Sequence, residues 1–197
     1  APDQRQKISA KMKEWTGVKW LGLTATPHTT GLGHTRTEVV EGPSVRELIN
    51  QGYLSDFEAW GVPPDVSKVK TTAGDFNSKE LAECVNTNEI TGNILKHWRE
   101  HGQGRKTMVF AVDIAHSKAI AARFEAEGIR AAHIDCYADG DEKFEIIEKF
   151  RSGEIQVLSS VTMLAKGFDV KDVSCVILAR PTKSLSLYLQ QVGRGLR

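Results

Sequence analysis

The run Thr107-Met108-Val109-Phe110-Ala111-Val112 decides the fold. Its apolar side chains are consecutive, not alternate. That is how a strand buried on both faces reads, and such strands belong to parallel sheets. Outward from this run, strand and helix alternate. Asp113 to Glu127 carries a helical pattern that Gly128 stops, and Ile129 to Ile134 reads as a strand. Asp141 to Ser152 reads as a helix with Phe144, Ile147 and Phe150 on one side, ended by Gly153. Ile155 to Leu158 and Val173 to Ala179 read as strands, and Ser184 to Val192 as a helix. The alternation predicts an α/β fold, a parallel sheet sandwiched by helices with right-handed crossovers. In such sheets ligands sit beyond the carboxyl ends of the strands. The informative residues should therefore follow strands, as Thr24-Ala25-Thr26-Pro27, Lys166-Gly167-Phe168-Asp169 and Arg180-Pro181-Thr182 do.

Toward the amino end the pattern is less regular. Residues 3–16 read as an amphipathic helix with Ile8, Met12 and Trp15 on one face. Val18 to Leu23 reads as a strand, and the Gly- and Thr-rich stretch 28–43 as a loop or boundary. Ser44 to Gln51 is a short helix and Phe57 to Val62 a strand stopped by Pro63-Pro64. Residues 65–77 are polar and read as loop, and Ser78 to His101 as one or two helices with a break near Thr87-Asn88.

Composition bounds what the chain can be. Its 197 residues are 40% apolar with a formal net charge of +1, which excludes a globally basic nucleic-acid coat but leaves room for a local basic groove. No stretch approaches the roughly 18 apolar residues of a membrane span. The first residues hold no apolar signal region, so the expectation is a cytoplasmic protein. Cys84, Cys136 and Cys175 are odd in number and far apart, which argues against a disulfide framework or a zinc knuckle.

Residues 180–197 hold four basic side chains and no acidic one. Arg194 and Arg197 are three apart at the end of a predicted helix, so both can face the same way. Two converging guanidinium groups suit a phosphate. The plain alternative is that they only complement the helix dipole. Gly193 and Gly195 remove side chains that would crowd a ligand.

With these residues in view, the chain from Trp20 to Arg197 resembles the superfamily 2 helicases and translocases. Leu21-Gly22-Leu23-Thr24-Ala25-Thr26-Pro27 resembles motif III, Val109-Phe110-Ala111 and the helix after it motif IV, Leu158 through Asp169 motif V. Gln190-Gln191-Val192-Gly193-Arg194-Gly195-Leu196-Arg197 resembles motif VI, Q-x-x-G-R-x-x-R. Four motifs in the right order and spacing are specific where each alone is weak. Their wording, with Gly42 to Leu48 and Arg180 to Thr182, is most similar to the DNA-directed branch of repair helicases and restriction-enzyme motors.

The resemblance implies two RecA-like domains of the P-loop NTPase type, with ATP and Mg²⁺ bound between them. Residues 1–43 would be the end of the first domain and 44–197 most of the second. Arg197 would be the arginine finger, Arg194 a second γ-phosphate contact, and Gln190 would position the nucleotide or the water. Asp169, on the loop with Gly167, would meet the ribose. Thr24 and Thr26 would couple nucleotide state to the nucleic-acid track. On that track the candidates are Ser160, Thr162 and Lys166, Asp113 to His116, and Asp135 to Tyr137. They would contact the backbone of DNA in preference to RNA, with little base readout.

The chain also departs from the family. It contains no G-x-x-x-x-G-K-[ST], and Gly102-Gln103-Gly104-Arg105-Lys106-Thr107 precedes a strand instead of following one. No Asp-Glu-x-His lies upstream of motif III. The chain is thus expected to begin after the ATP-holding parts of the first domain, to end before the last strand of the second, and to lack ATPase activity alone. Val161 stands between Ser160 and Thr162 where RNA-type relatives carry a hydroxyl, and Leu196 where many carry glycine. A rival reading is a non-catalytic module that binds nucleic acid or a protein. Another is an unrelated doubly wound enzyme with a closed pocket for a phosphorylated substrate.

No metal site is expected. His97 and His101 are four apart, but Trp98 stands where H-E-x-x-H needs glutamate, so they read as exposed helix face. His28, His34 and His133 show no ligand partners. Cys136 and Cys175 read as core, and Trp15, Trp20, Trp60 and Trp98 as packing.

Overall fold

The computed structural model describes residues 10–11, 14, 21–23, 38–61, 64–161, 170 and 172–196. The chain divides into two units, Ala1–Gly42 and Pro43–Arg197. In the first, Ala10, Lys11 and Glu14 are helical, within the helix expected over 3–16, and Leu21 to Leu23 have no regular structure. The rest of the stretches read as that helix and as the strand Val18 to Leu23, with Thr24 and Thr26, lies outside the described residues. Among the described residues no helix is long and apolar enough to cross a membrane.

The second unit holds the sheet. Strands β3 (Thr107–Phe110), β4 (Ala131–Ile134), β5 (Val157–Ser160) and β6 (Cys175–Leu178) pair in the order β4-β5-β3-β6, all parallel. In register, Ile134 pairs with Ser160, Ser160 with Phe110, and Phe110 with Leu178, so the four carboxyl ends form one row. Helices α4 (Ile114–Glu125), α5 (Gly140–Ser152) and α6 (Leu185–Val192) follow β3, β4 and β6. Each starts at a side chain that caps an orphan backbone N–H: Asp113, Asp139 and Ser184.

The decisive run behaves as its composition requires. Val109 and Ala111 enter a core on one sheet face with Leu95, Trp98, Ile120 and Phe124. Met108 and Phe110 enter a core on the other face with Ile134, Phe150 and Leu158. Burying a side chain such as Phe124, fully enclosed, contributes about 1.5–3 kcal/mol. Phe144 departs from expectation, being exposed while Phe150 on the same helix is buried.

Before the sheet come α1 (Val45–Asn50), α2 (Ser78–Val85) and α3 (Asn88–His97). Ser44 and Glu47 form a reciprocal capping box at α1. The break expected near Thr87-Asn88 is real: Asn86 ends α2 and the Thr87 hydroxyl caps α3. Leu81, Ala82 and Val85 of α2 pack on Val112, just past β3.

Two readings are corrected. Residues 57–61 form no strand, since no neighbouring strand pairs with them among the described residues. The stretch read as loop contains a small antiparallel hairpin, β1 (Thr71–Thr72) with β2 (Asp75–Phe76). Its turn places Ala73 and Gly74 at φ 51° and 87°. Both central residues are left-handed, as in a type I′ turn, but alanine lacks the Asn-Gly or Asp-Gly signature that marks one in sequence.

Candidate functional site

The connection from β6 to α6 begins with Arg180-Pro181-Thr182-Lys183-Ser184, and the hairpin holds it. Asp75 Oδ1 accepts the backbone N–H of Lys183 at 2.7 Å and of Phe76 at 2.9 Å. Its Oδ2 accepts the Thr182 hydroxyl at 2.8 Å and lies 3.7 Å from the Arg180 guanidinium. Lys183 Nζ donates to the Thr71 hydroxyl at 2.6 Å and lies over the Phe76 ring. Burial pushes the Asp75 carboxyl up, but the Lys183 and Phe76 amides, the Thr182 hydroxyl and Arg180 together outweigh it, and the group sits below the ordinary aspartate value. The same Thr182 oxygen accepts the N–H of Ser184, the α6 cap. Asp75 thus fixes the entry to α6 from 107 residues away.

Helix α6 ends at Val192, with Gly193 as its cap. Arg194 therefore stands in the turn after the helix, at the end of the helix read over Ser184 to Val192. It is half-buried. The turn closes against β6: a Cβ on Gly195 would lie 2.9 Å from Val176 Cγ2. Glycine at 195 thus lets backbone approach the sheet, a packing reason and not the ligand clearance read from sequence. Leu196 is buried, and its carbonyl accepts the N–H of Ser55 at 3.0 Å. Gln190 is half-buried and its amide donates to Ser186 Oγ at 3.4 Å. Gln191 is fully enclosed, and neither polar atom of its amide has a hydrogen-bond partner among the described residues. A buried amide left so costs about 1–3 kcal/mol.

At the carboxyl row, Ser160 is fully buried and its hydroxyl has no partner among the described residues. Asp113 caps α4, accepting the His116 N–H at 2.7 Å. His116 is enclosed; its Nδ1 takes the Val112 N–H at 3.5 Å and its Nε2 meets no partner among the described residues. Burial pushes the His116 pKa down, partly offset by Asp113, which favours the neutral ring. The structure thus gives Asp113 and His116 work inside the fold, where the sequence offered them as surface contacts.

A polar chain missed in the sequence lies at the β4 edge of the sheet. Ser159 Oγ and Ser117 Oγ are 2.7 Å apart, Ser117 Oγ is 2.7 Å from His133 Nδ1, and His133 Nε2 is 3.0 Å from Asp135 Oδ2. Asp135 Oδ1 accepts the N–H groups of Tyr137 and Ala138 at 2.7 and 3.1 Å. The hydrogen bond from His133 and those from Tyr137 and Ala138 hold the Asp135 carboxyl below its usual range. Each donor is satisfied if Ser159 donates to Ser117 and Ser117 to His133 Nδ1, an assignment inferred from the network. The chain joins residues on β5, α4 and β4, so no local spacing revealed it. Cys136, read as core, is exposed in the loop it holds, while Cys175 is partly buried. Gly167, Asp169, Thr162, Lys166 and Arg197 lie outside the described residues.

A family model described as "Helicase conserved C-terminal domain" matches residues 86–197. The "51.5 kDa protein" of a Lactococcus phage (isolate 7-9) is 34% identical over 187 residues, 93% of this chain and 41% of the relative. The "Putative ATP-dependent helicase IRC3" of Saccharomyces cerevisiae is 33% identical over 190 residues, 92% of this chain and 28% of the relative. Among solved structures, the C-terminal domain of the DEAD-box protein Dbp5 aligns with 55% of this chain and 64% of its own, at 20% identity and a TM-score of 0.47. The chain spans less than half the length of either curated relative.

Proposed function

Since the chain belongs to the helicase conserved C-terminal domain family, we propose that it is the second RecA-like part of an ATP-dependent DNA helicase or translocase. Residues 44–197 form that part, and 1–43 are the end of the first RecA-like domain, with Thr24 and Thr26 coupling the two. The observation that carries the reading is the end of α6. Gly195 presses the turn onto β6, and this sets Arg194, half-buried, directly after the helix.

The residues fit one end of the cofactor. Arg194 and Arg197 would hold the γ-phosphate, Gln190 the water or nucleotide, and Asp169 with Gly167 the ribose. No phosphate loop occurs in the sequence, so ATP and Mg²⁺ rest mainly on another domain. When bound, ATP supplies the phosphoryl group whose transfer to water drives movement. Arginine is suited to this place because it stays charged and presents a fixed fork of donors. Ser160, Thr162 and Lys166 form the nucleic-acid track. The place of Ser160 in the carboxyl row of the sheet supports that assignment. Asp113 and His116 support the track from behind, by capping and filling α4.

The purified 197-residue chain tests this. It should release no phosphate from ATP with or without single-stranded DNA, and should bind that DNA weakly, without sequence preference, and less at higher salt. DNA-stimulated turnover by the chain alone would contradict the reading. Tighter binding to RNA than to DNA would overturn the assignment to DNA.

A further inference from the structure

Helix α3 ends at His97, and the chain continues through one wide π turn, Trp98–Gly102, before β3. Such turns are uncommon and often mark functional places. This one is fixed from inside. Trp98 is 4% exposed, its Nε1 donates to Thr107 Oγ1 at 2.8 Å, and its ring meets Phe124 edge-on at 5.2 Å. A Cβ on Gly102 would sit 2.7 Å from Trp98 Cδ1, so the turn closes tightly over the indole.

The outer side of the same turn carries His97, Glu100 and His101. Glu100 Oε2 lies 3.7 Å from His97 Nδ1 and 3.7 Å from His101 Nε2. One ligand atom from each residue lies within 4.8 Å of the others. His97 Nδ1 is shielded from solvent and has no hydrogen-bond partner among the described residues. Glu100 meets no lysine or arginine at ion-pair distance among the described residues, and its neighbour Arg99 is taken by Glu127 at 2.7 Å. The Trp60 ring stacks on His101, centroids 4.3 Å apart and planes 4° from parallel, and so orients that imidazole.

We propose that His97, Glu100 and His101 form a binding site for a divalent transition-metal ion of the zinc class. Two imidazole nitrogens and one carboxylate oxygen suit Zn²⁺, Co²⁺, Ni²⁺ or Cu²⁺, whereas Mg²⁺ and Ca²⁺ prefer oxygen alone. With metal–ligand bonds of about 2.0–2.1 Å, tetrahedral ligand atoms stand about 3.4 Å apart. The two contacts to Glu100 need to close by only a few tenths of an ångström, and the wider pair, His97 and His101, closes by a small rotation of the exposed His101 side chain. Three protein ligands leave a fourth position open to water. The site precedes β3 and so lies at the amino end of the sheet, away from the carboxyl row and from α6. It is distinct from the Mg²⁺ of the proposed ATPase. An ion there would fasten residues 57–61, through the Trp60–His101 stack, to the end of α3. The order His-x-x-Glu-His reverses the H-E-x-x-H pattern sought in the sequence.

The test titrates the full chain, stripped with chelator, with Zn²⁺ by calorimetry, with excess Mg²⁺ present. One ion per chain is expected. His97→Ala and His101→Ala should each weaken binding at least about tenfold, or 1.4 kcal/mol, while Trp60→Phe keeps the ligands and binds one ion. In the unaltered chain, Zn²⁺ should shift the ring signals of His97 and His101 in NMR spectra and leave that of buried His116 in place, a readout that does not depend on any variant folding. Absence of saturable Zn²⁺ binding, displacement by Mg²⁺, or unchanged affinity in the His97→Ala/His101→Ala double variant would overturn the proposal.

Discussion

The two edges of the sheet each hold a loop with one carboxylate, and they do it differently. At β4, Asp135 accepts two backbone N–H groups from its own loop and is tied to the interior through His133, Ser117 and Ser159. At β6, Asp75 accepts one backbone N–H of its own and one from Lys183, 108 residues away, with Thr182 and Arg180 beside it. The first loop is held by its neighbours and by a buried relay. The second, which leads into α6 and Arg194, is held by a hairpin reaching in from before the sheet. The helix that leads to Arg194 thus rests on a partly exposed brace, and the β4 edge on an enclosed one.

Breaking the buried relay should cost most. Ser117→Ala leaves both Ser159 and His133 without their shared partner and should lower stability by about 2 kcal/mol, read from urea unfolding. Ser159→Ala, at the end of the relay, should cost less, since Ser117 still bonds His133. Equal effects would show that the relay does not act as a chain.

Asp75→Ala should cost about 1 kcal/mol, because water can reach the groups it leaves. Its mark should be local, with faster amide exchange at Lys183 and Ser184 and none at Tyr137 or Ala138. Asp135→Ala should give the reverse pattern. Exchange that rises at both edges in either variant would remove the contrast.

The smallest effect is a pH dependence. His116 is held neutral by burial, while the unfolded chain takes up a proton near its ordinary value of about 6.5. Stability should therefore decline as pH falls below about 6.5, and His116→Asn should flatten that slope. Asp75 and Asp135, both lowered in the folded chain, contribute stability that is present above about pH 3.9 and is lost only as pH falls further through their folded values. A wild-type slope unchanged by His116→Asn would contradict the assignment.

Much of this architecture was legible in the sequence because the two-sided burial of 107–112 and the glycine stops at 128 and 153 are local signals. The hairpin was not, because its turn uses Ala73-Gly74 and its reason for existing is Asp75 reaching a loop far along the chain. The Trp60 segment was not, because a run of strand-like residues forms no strand without a partner. At the site, the pattern placed Arg194 at the end of the helix that follows β6, but the role of Gly195 and the enclosure of His116 and Gln191 appear only when the elements pack. His133 looked solitary for the same reason, since its partners come from α4 and from the loop after β4.

The central claim is that the arginines after α6 serve a nucleotide held by another domain. The most direct measurement is rapid-quench phosphate release by a protein that joins this chain to a phosphate-loop domain, with Arg197→Ala compared to the unaltered sequence and nucleotide binding measured in parallel. Hydrolysis should fall by about 10³-fold while binding persists. Near-normal hydrolysis in that variant would contradict the account.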